Sequence, residues 1–178
     1  MVAHYLTLAR AQPIASAAIA VAVIGLAAIL GAYFFQHVLG LPPCPLCLKQ
    51  RLAYYVSIPL AALILLGVSV GSSRKVAMLA LIAIAGFMLW NAGLGVYHSG
   101  VEWHWWAGPQ DCSGPLTDIR SGGALLEQLK NVRVVRCDEA AWRFLGLSLA
   151  GYNALISLTL AVTALWGAAA AWKTPENR

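Results

Sequence analysis

The run Ile14–Phe35, IASAAIAVAVIGLAAILGAYFF, holds 22 residues and no charge. A hydrocarbon core of roughly 30 Å takes about 20 helical residues to cross, so this run is long enough to span a membrane. Three more runs share its character: Leu52–Val70 with 19 residues, Val76–Val96 with 21 and Phe144–Trp166 with 23. In lipid only helices or closed barrels satisfy their own backbone. These runs are continuous, rich in Ala and Leu, and lack the apolar/polar alternation of barrel strands. The sequence therefore predicts an all-α membrane protein: a four-transmembrane-helix bundle forming a single integral membrane domain over residues 1–178. A cleaved signal peptide is the alternative for the first run, but the apolar core of such a signal is only about 7–15 residues.

Composition agrees. Hydrophobic residues make up 60% of the chain, charged residues 11%, and the mean hydropathy is +0.72. Soluble domains carry about 45–50% apolar and about 25% charged residues, which excludes a soluble enzyme or a disordered tail. The net charge of +5 comes from scattered residues without a basic patch, so no nucleic-acid partner is expected.

Four crossings put residues 1–13, the turn Gly71-Ser72-Ser73-Arg74-Lys75 and the tail from Gly167 on one side. The loops 36–51 and 97–143 fall on the other. The first side holds Arg10, Arg74, Lys75, Lys173 and Arg178; the second holds Lys49, Arg51, Arg120, Lys130, Arg133, Arg136 and Arg143. Per residue, the side with the termini is denser in basic charge, which points it toward the cytoplasm.

All four cysteines, Cys44, Cys47, Cys112 and Cys137, lie in the two outer loops and none in a span. Disulfides persist in oxidising compartments; if these cysteines pair, the loops face the periplasm of a bacterium. Cys44 and Cys47 form a Cys-x-x-Cys directly before the second span. Pro45 suits the first helical position, so Cys44 is expected as the cap and Cys47 in the first turn. The positive end of the helix dipole and Arg51, four residues beyond Cys47 on the same face, favour thiolate over thiol. A thiol of low pKa is a good leaving group and makes a labile disulfide. A structural bridge is the plain alternative for this pair. A zinc site needs a second close pair, whereas Cys112 and Cys137 are 25 positions apart and no His stands near them at ligand spacing; no metal is expected. Haem attachment needs His where Leu48 stands.

Cys112 and Cys137 bracket a loop with one short amphipathic run, Ala124–Lys130, expected to lie on the membrane surface. Alone, this pair reads equally as a loop staple, which stabilises by roughly 3.5 kcal/mol in the entropy model. Beside a Cys-x-x-Cys on the same membrane face, it can also exchange disulfides by thiolate attack. Trp103, Trp105 and Trp106 read as interfacial anchors. His98 reads either as an interfacial residue or as part of a site at the depth of Arg51. Asn91 and Asn153, inside spans, read as interhelical hydrogen-bonding residues.

Four spans, Pro43-Cys44-x-x-Cys47-x-x-x-Arg51 at the start of the second, and a Cys pair in the second outer loop resemble the bacterial disulfide bond formation protein B (DsbB) family. The segments Tyr97–Glu102, Gly108–Cys112 and Arg143–Ser148 add to the resemblance, which covers nearly the whole chain. It implies an inner-membrane protein-dithiol:quinone oxidoreductase that reoxidises a periplasmic thioredoxin-fold dithiol oxidase (DsbA-like). It also implies ubiquinone or menaquinone, bound non-covalently, as electron acceptor. Cys44 and Cys47 become the quinone-linked pair, with Cys47 as the thiolate facing the quinone; Arg51 becomes the cation of the quinone site and His98 its neighbour. Cys112 becomes the residue that joins the partner in a mixed disulfide, and Cys137 its pair. The residues alone reach part of this reading. Forming a disulfide releases two electrons, and the chain offers no dinucleotide motif, haem ligand set or four-Cys cluster to take them, so a lipid-dissolved acceptor is the simplest sink. A vitamin K epoxide reductase-like enzyme is the nearest alternative, but there the loop pair precedes the Cys-x-x-Cys. A non-enzymatic membrane protein with two structural disulfides is the other.

Overall fold

The computed structural model describes residues 13–109 and 136–173. Cys112 and the amphipathic run Ala124–Lys130 lie outside the described residues. Among the described residues, four helices are long and apolar enough to cross a membrane: α1 (Pro13–His37), α2 (Pro45–Ser69), α3 (Arg74–Glu102) and α4 (Leu149–Lys173). Each packs against its neighbour in sequence, and α4 closes the ring against α1. The protein is thus a four-helix multi-pass membrane bundle.

The core is built from small residues on α1 and α4 and larger ones on α3. Ala17, Ala18 and Val21 of α1 and Leu160, Ala161 and Ala164 of α4 meet Leu81, Ile84 and Met88 of α3, all of them buried. Lipid tails are as apolar as Leu, so close approach of backbones has to hold such a bundle together. Gly95 shows it: a Cβ there would sit 3.0 Å from the backbone of Ala154 on α4. The outward faces carry Ile19, Val23, Leu63, Leu79 and Val162, exposed as a lipid-facing surface requires.

The helices overrun the uncharged runs. α2 begins seven residues before Leu52, so the expected outer loop 36–51 ends at Cys44. Its start is set by Pro45 at the first helical position and the Cys44 cap, not by the first uncharged residue. Lys49 and Arg51 are carried on the first two turns, where long basic side chains reach the interface. α3 runs six residues past Val96, to Glu102. It closes with His104 in the left-handed region (φ 58°), where His104 N–H donates to Val101 O at 3.0 Å and Trp105 N–H to Gly100 O at 2.9 Å. This is a Schellman ending. α2 ends in the same way with Gly71 (φ 74°): Ser72 N–H donates to Gly67 O at 2.8 Å.

The fourth run departs most from expectation. Residues Phe144–Ser148 are not helical: β1 (Arg143–Phe144) pairs antiparallel with β2 (Leu147–Ser148). The turn between them places Leu145 (φ 48°) and Gly146 (φ 83°) in the left-handed region, as a two-residue type I′ hairpin requires. Ser148 Oγ then accepts from Gly151 N–H at 3.2 Å and caps α4, which starts at Leu149.

Candidate redox-active site

At one end of the bundle the N-terminus of α2 meets the C-terminal turns of α3. Cys44 caps α2 with extended backbone (φ −74°, ψ 165°), and its Sγ accepts from Cys47 N–H at 3.2 Å. The Cys44 and Cys47 sulfurs share a hydrogen bond at 2.9 Å. Cys44 is buried, and its Sγ also lies 3.6 Å from His98 Nε2 on α3. His98 is itself 3% exposed and stands 3.8 Å from Glu102 Oε1 one turn on. The structure therefore packs His98 against Cys44.

The donors around Cys44 hold a negative charge on that sulfur. The hydrogen bond with Cys47 pulls its pKa from an ordinary 9.0 down to about 5; burial opposes this, and His98 and the Cys47 amide assist. The sequence reading put the first-turn thiolate on Cys47 under the influence of Arg51. In the dithiol form Arg51 turns elsewhere: Nη1 donates to Gln36 Oε1 at 2.7 Å, and the guanidinium sits 5.3 Å from the centre of the Tyr33 ring.

The two sulfurs face different surroundings. Cys47 and Arg51 line an apolar cavity of about 560 Å³, together with Phe35, Pro42, Trp142 and Ile156. Cys44 and His98 do not line it; Cys44 belongs to a buried cluster with Leu46, Val101 and Cys137, against which Cys47 also packs. Cys137 is completely buried and disulfide-bonded. The cysteine from the second outer loop is thus gathered to the same place as the Cys-x-x-Cys.

Behind the cysteines runs a polar chain that motif reading did not find. Gln50 Nε2 lies 2.9 Å from His98 Nδ1, and Gln50 Oε1 accepts from Asn153 Nδ2 at 2.8 Å. Asn153 Oδ1 accepts from the Tyr54 hydroxyl at 2.7 Å and from Asn91 Nδ2 at 3.4 Å, while Asn91 Nδ2 donates to Ser157 Oγ at 2.9 Å. Asn91 and Asn153 make the interhelical bonds expected of them. Gln50 is buried at 6% exposure; its spacing three residues after Cys47 was the available signal.

Cys44, Cys47 and His98 also converge closely enough to suggest a metal, their ligand atoms lying within 4.8 Å of one another. Two thiolates on one zinc at about 2.3 Å each stand roughly 3.8 Å apart in tetrahedral geometry. The observed 2.9 Å between the sulfurs is shorter than that spacing.

Trp106 folds back over the end of α3, donating from Nε1 to Tyr97 O at 2.8 Å and stacking on the Tyr97 ring. This passage exists because residue 100 is Gly: a Cβ there would run into the Trp106 ring. Trp105 is 66% exposed, as an interfacial anchor should be.

A membrane helix bundle with an uneven dithiol on a helix N-terminus, beside a buried His and a further disulfide-bonded Cys, is a thiol–disulfide redox protein. Comparison with known proteins agrees. Residues 15–167 match the family model described as Disulfide bond formation protein DsbB, and the chain belongs to that family. Among its relatives are proteins named Disulfide bond formation protein B. The one from Marinobacter nauticus is 33% identical over 143 residues, covering 76% of this chain and 80% of the relative. That from Psychrobacter sp. is 34% identical, covering 75% and 80%; that from Xanthomonas axonopodis pv. citri is 32% identical, covering 76% and 78%. No solved structure matches significantly. Membership makes the chain an oxidoreductase of disulfide formation, since joining two thiols removes two electrons.

Proposed function

We propose that this protein reoxidises a periplasmic thioredoxin-fold dithiol oxidase and passes the electrons to ubiquinone or menaquinone in the bacterial inner membrane, with its termini cytoplasmic and its cysteines periplasmic. The observation that carries the reading is the division of the first cysteine pair: Cys47 shares a wall of an apolar cavity with Arg51, while Cys44 faces the cluster of Cys137.

Sulfur exchange supplies the route. The partner's thiolate attacks Cys112 in the Cys112–Cys137 disulfide, and the partner's second thiolate resolves that bond, leaving the partner oxidised and the loop pair reduced. Cys137 thiolate then attacks Cys44 of a Cys44–Cys47 disulfide: the Cys137–Cys44 bond forms and Cys47 leaves as thiolate into the cavity. Cys112 thiolate attacks Cys137, restores the loop disulfide and expels Cys44. The donors on Cys44 make it the better leaving group in this last step. Two electrons then rest on Cys44 and Cys47.

The cavity fits a quinone by chemistry. Its volume lies in the range of pockets for small organic ligands, its walls are apolar, and Cys47, Gln50, Arg51, Tyr54 and Asn153 bring polar groups to it. A quinone bound there supplies an acceptor for two electrons and two protons. Arg51 supplies positive charge where negative charge develops.

The test uses purified protein in detergent with a reduced thioredoxin-fold dithiol oxidase and a soluble ubiquinone analogue. Loss of one quinone per partner disulfide formed is expected. Partner oxidation that proceeds equally without quinone, or no quinone loss with all four cysteines intact, overturns the proposal.

A further inference from the structure

We propose that Gln50 and Asn153 are positioning residues that hold His98 in the tautomer bearing hydrogen on Nε2, with that hydrogen directed at the Cys44 sulfur.

The argument starts at Asn153. Its Oδ1 accepts from the Tyr54 hydroxyl at 2.7 Å and from Asn91 Nδ2 at 3.4 Å. Its nitrogen therefore faces Gln50 and donates to Gln50 Oε1 at 2.8 Å. Gln50 is left to present its Nε2 to His98 Nδ1 at 2.9 Å. An N–H facing Nδ1 finds a lone pair there, so a neutral ring carries its hydrogen on Nε2.

The other side of the ring is compatible with the same tautomer. Nε2 faces Cys44 Sγ at 3.6 Å and Glu102 Oε1 at 3.8 Å. Both atoms are acceptors when ionised, and a bare Nε2 lone pair would oppose them. The titratable groups around Cys44 are Cys47 on its own helix and His98 and Glu102 on α3. Among the described residues, His98 is the one of these whose hydrogen the amide chain directs. His98 thus serves Cys44 as a fixed donor to its thiolate. The direction of that donor is set on α2 and α4, more than a helical turn from the sulfur.

This inference rests on reading Cys44 and Cys47 as the redox pair, but its readout is a resonance of His98 rather than turnover, so the two fail separately. Ring-¹⁵N-histidine protein in the reduced state, in detergent at neutral pH, gives the His98 signals, assigned by their loss in His98→Asn. The expected wild-type spectrum has Nδ1 in the unprotonated range and Nε2 in the protonated range. Gln50→Glu, which presents only acceptors to Nδ1, is expected to reverse the two. It should also raise the pH at which Cys44 alkylation halves by about one unit, the low end of what a hydrogen bond to a charged group is worth. Asn153→Asp should act in the same direction. A protonated Nδ1 in the wild type overturns the proposal whatever the variants do. So does a Gln50→Glu spectrum identical to wild type.

Discussion

Cys44 Sγ and His98 Nε2 stand 3.6 Å apart although 54 positions separate them in the chain. That contact joins the first turn of α2 to the last turns of α3. It turns a local Cys-x-x-Cys into a site with unequal sulfurs. Cys44 gathers donors while Cys47 looks into the cavity. A thiolate-stabilising environment makes the corresponding disulfide more oxidising, because its reduced form is favoured.

The first prediction follows from the depressed pKa of Cys44, about 5 against an ordinary 9.0. Its rate of alkylation by a small permeant reagent should stay flat across the neutral range and halve near pH 5. An ordinary thiol would lose reactivity about tenfold per pH unit below its pKa. Stability follows with a definite sign. A lowered folded-state pKa contributes stability that is full above about 9.0 and is lost as pH falls toward about 5. The reduced protein should therefore lose thermal stability relative to the oxidised protein on acidification through that window. A reactivity profile that bends near 9 instead would remove the thiolate from Cys44.

The spans were legible because charge exclusion from lipid writes itself directly into sequence, and all four uncharged runs overlap helices. The cap at Cys44 was legible too, from Pro45. The ends were less so, for a reason visible in two turns. α2 ends at Gly71, a residue whose freedom at positive φ advertises the turn. α3 ends by the same geometry at His104, which advertises nothing, so the helix was cut short at the last apolar residue. The Leu145-Gly146 hairpin was lost inside an uncharged run, since hydropathy does not distinguish a short apolar strand from a helix. Of the site, the cysteines and Arg51 could be read from spacing. The contact of His98 with Cys44 and the amide chain through Gln50 and Asn153 could not, because they depend on which faces of α2, α3 and α4 meet.

A second prediction concerns Gly100. Gly100→Ala puts a methyl group against the Trp106 ring and should displace it from Tyr97. Overpacking costs about 1–3 kcal/mol and exceeds the roughly 1 kcal/mol that Ala gains over Gly in a helix. A melting temperature lower by a few degrees is expected, with altered tryptophan fluorescence. Replacing Trp106 by Leu in the same chain should erase most of the loss. If Gly100→Ala stabilises, Trp106 does not pack there.

A third prediction tests which way the bundle sits. After reduction of cells with opened outer membranes, a membrane-impermeant maleimide should modify Cys112 without lysis. Modification that requires lysis would put the loops in the cytoplasm, where structural disulfides are rare, and would remove the oxidative reading.

The last prediction sets Arg51 against the apolar cavity. Arg51 is held by Gln36 Oε1 at 2.7 Å and by the Tyr33 ring, with Cys47 one turn before it on the same cavity wall. A guanidinium at this depth is costly without an anionic or polar partner, and Gln36 supplies only part of what five donors can engage. If the remainder serves an acceptor oxygen in the cavity, Arg51→Gln should raise the apparent KM for quinone by about 10- to 150-fold, the worth of one charge-assisted hydrogen bond. Arg51→Lys keeps the charge but loses the planar fork and should fall between the two. Gln36→Leu frees the guanidinium without removing it, and should move KM far less than Arg51→Gln. Cys47→Ser should abolish quinone loss at any concentration, because no sulfur then faces the cavity. The measurement is partner-driven turnover at varied quinone, in protein whose helical content matches the wild type. An unchanged KM in Arg51→Gln would reduce Arg51 to a pin between α2 and α1.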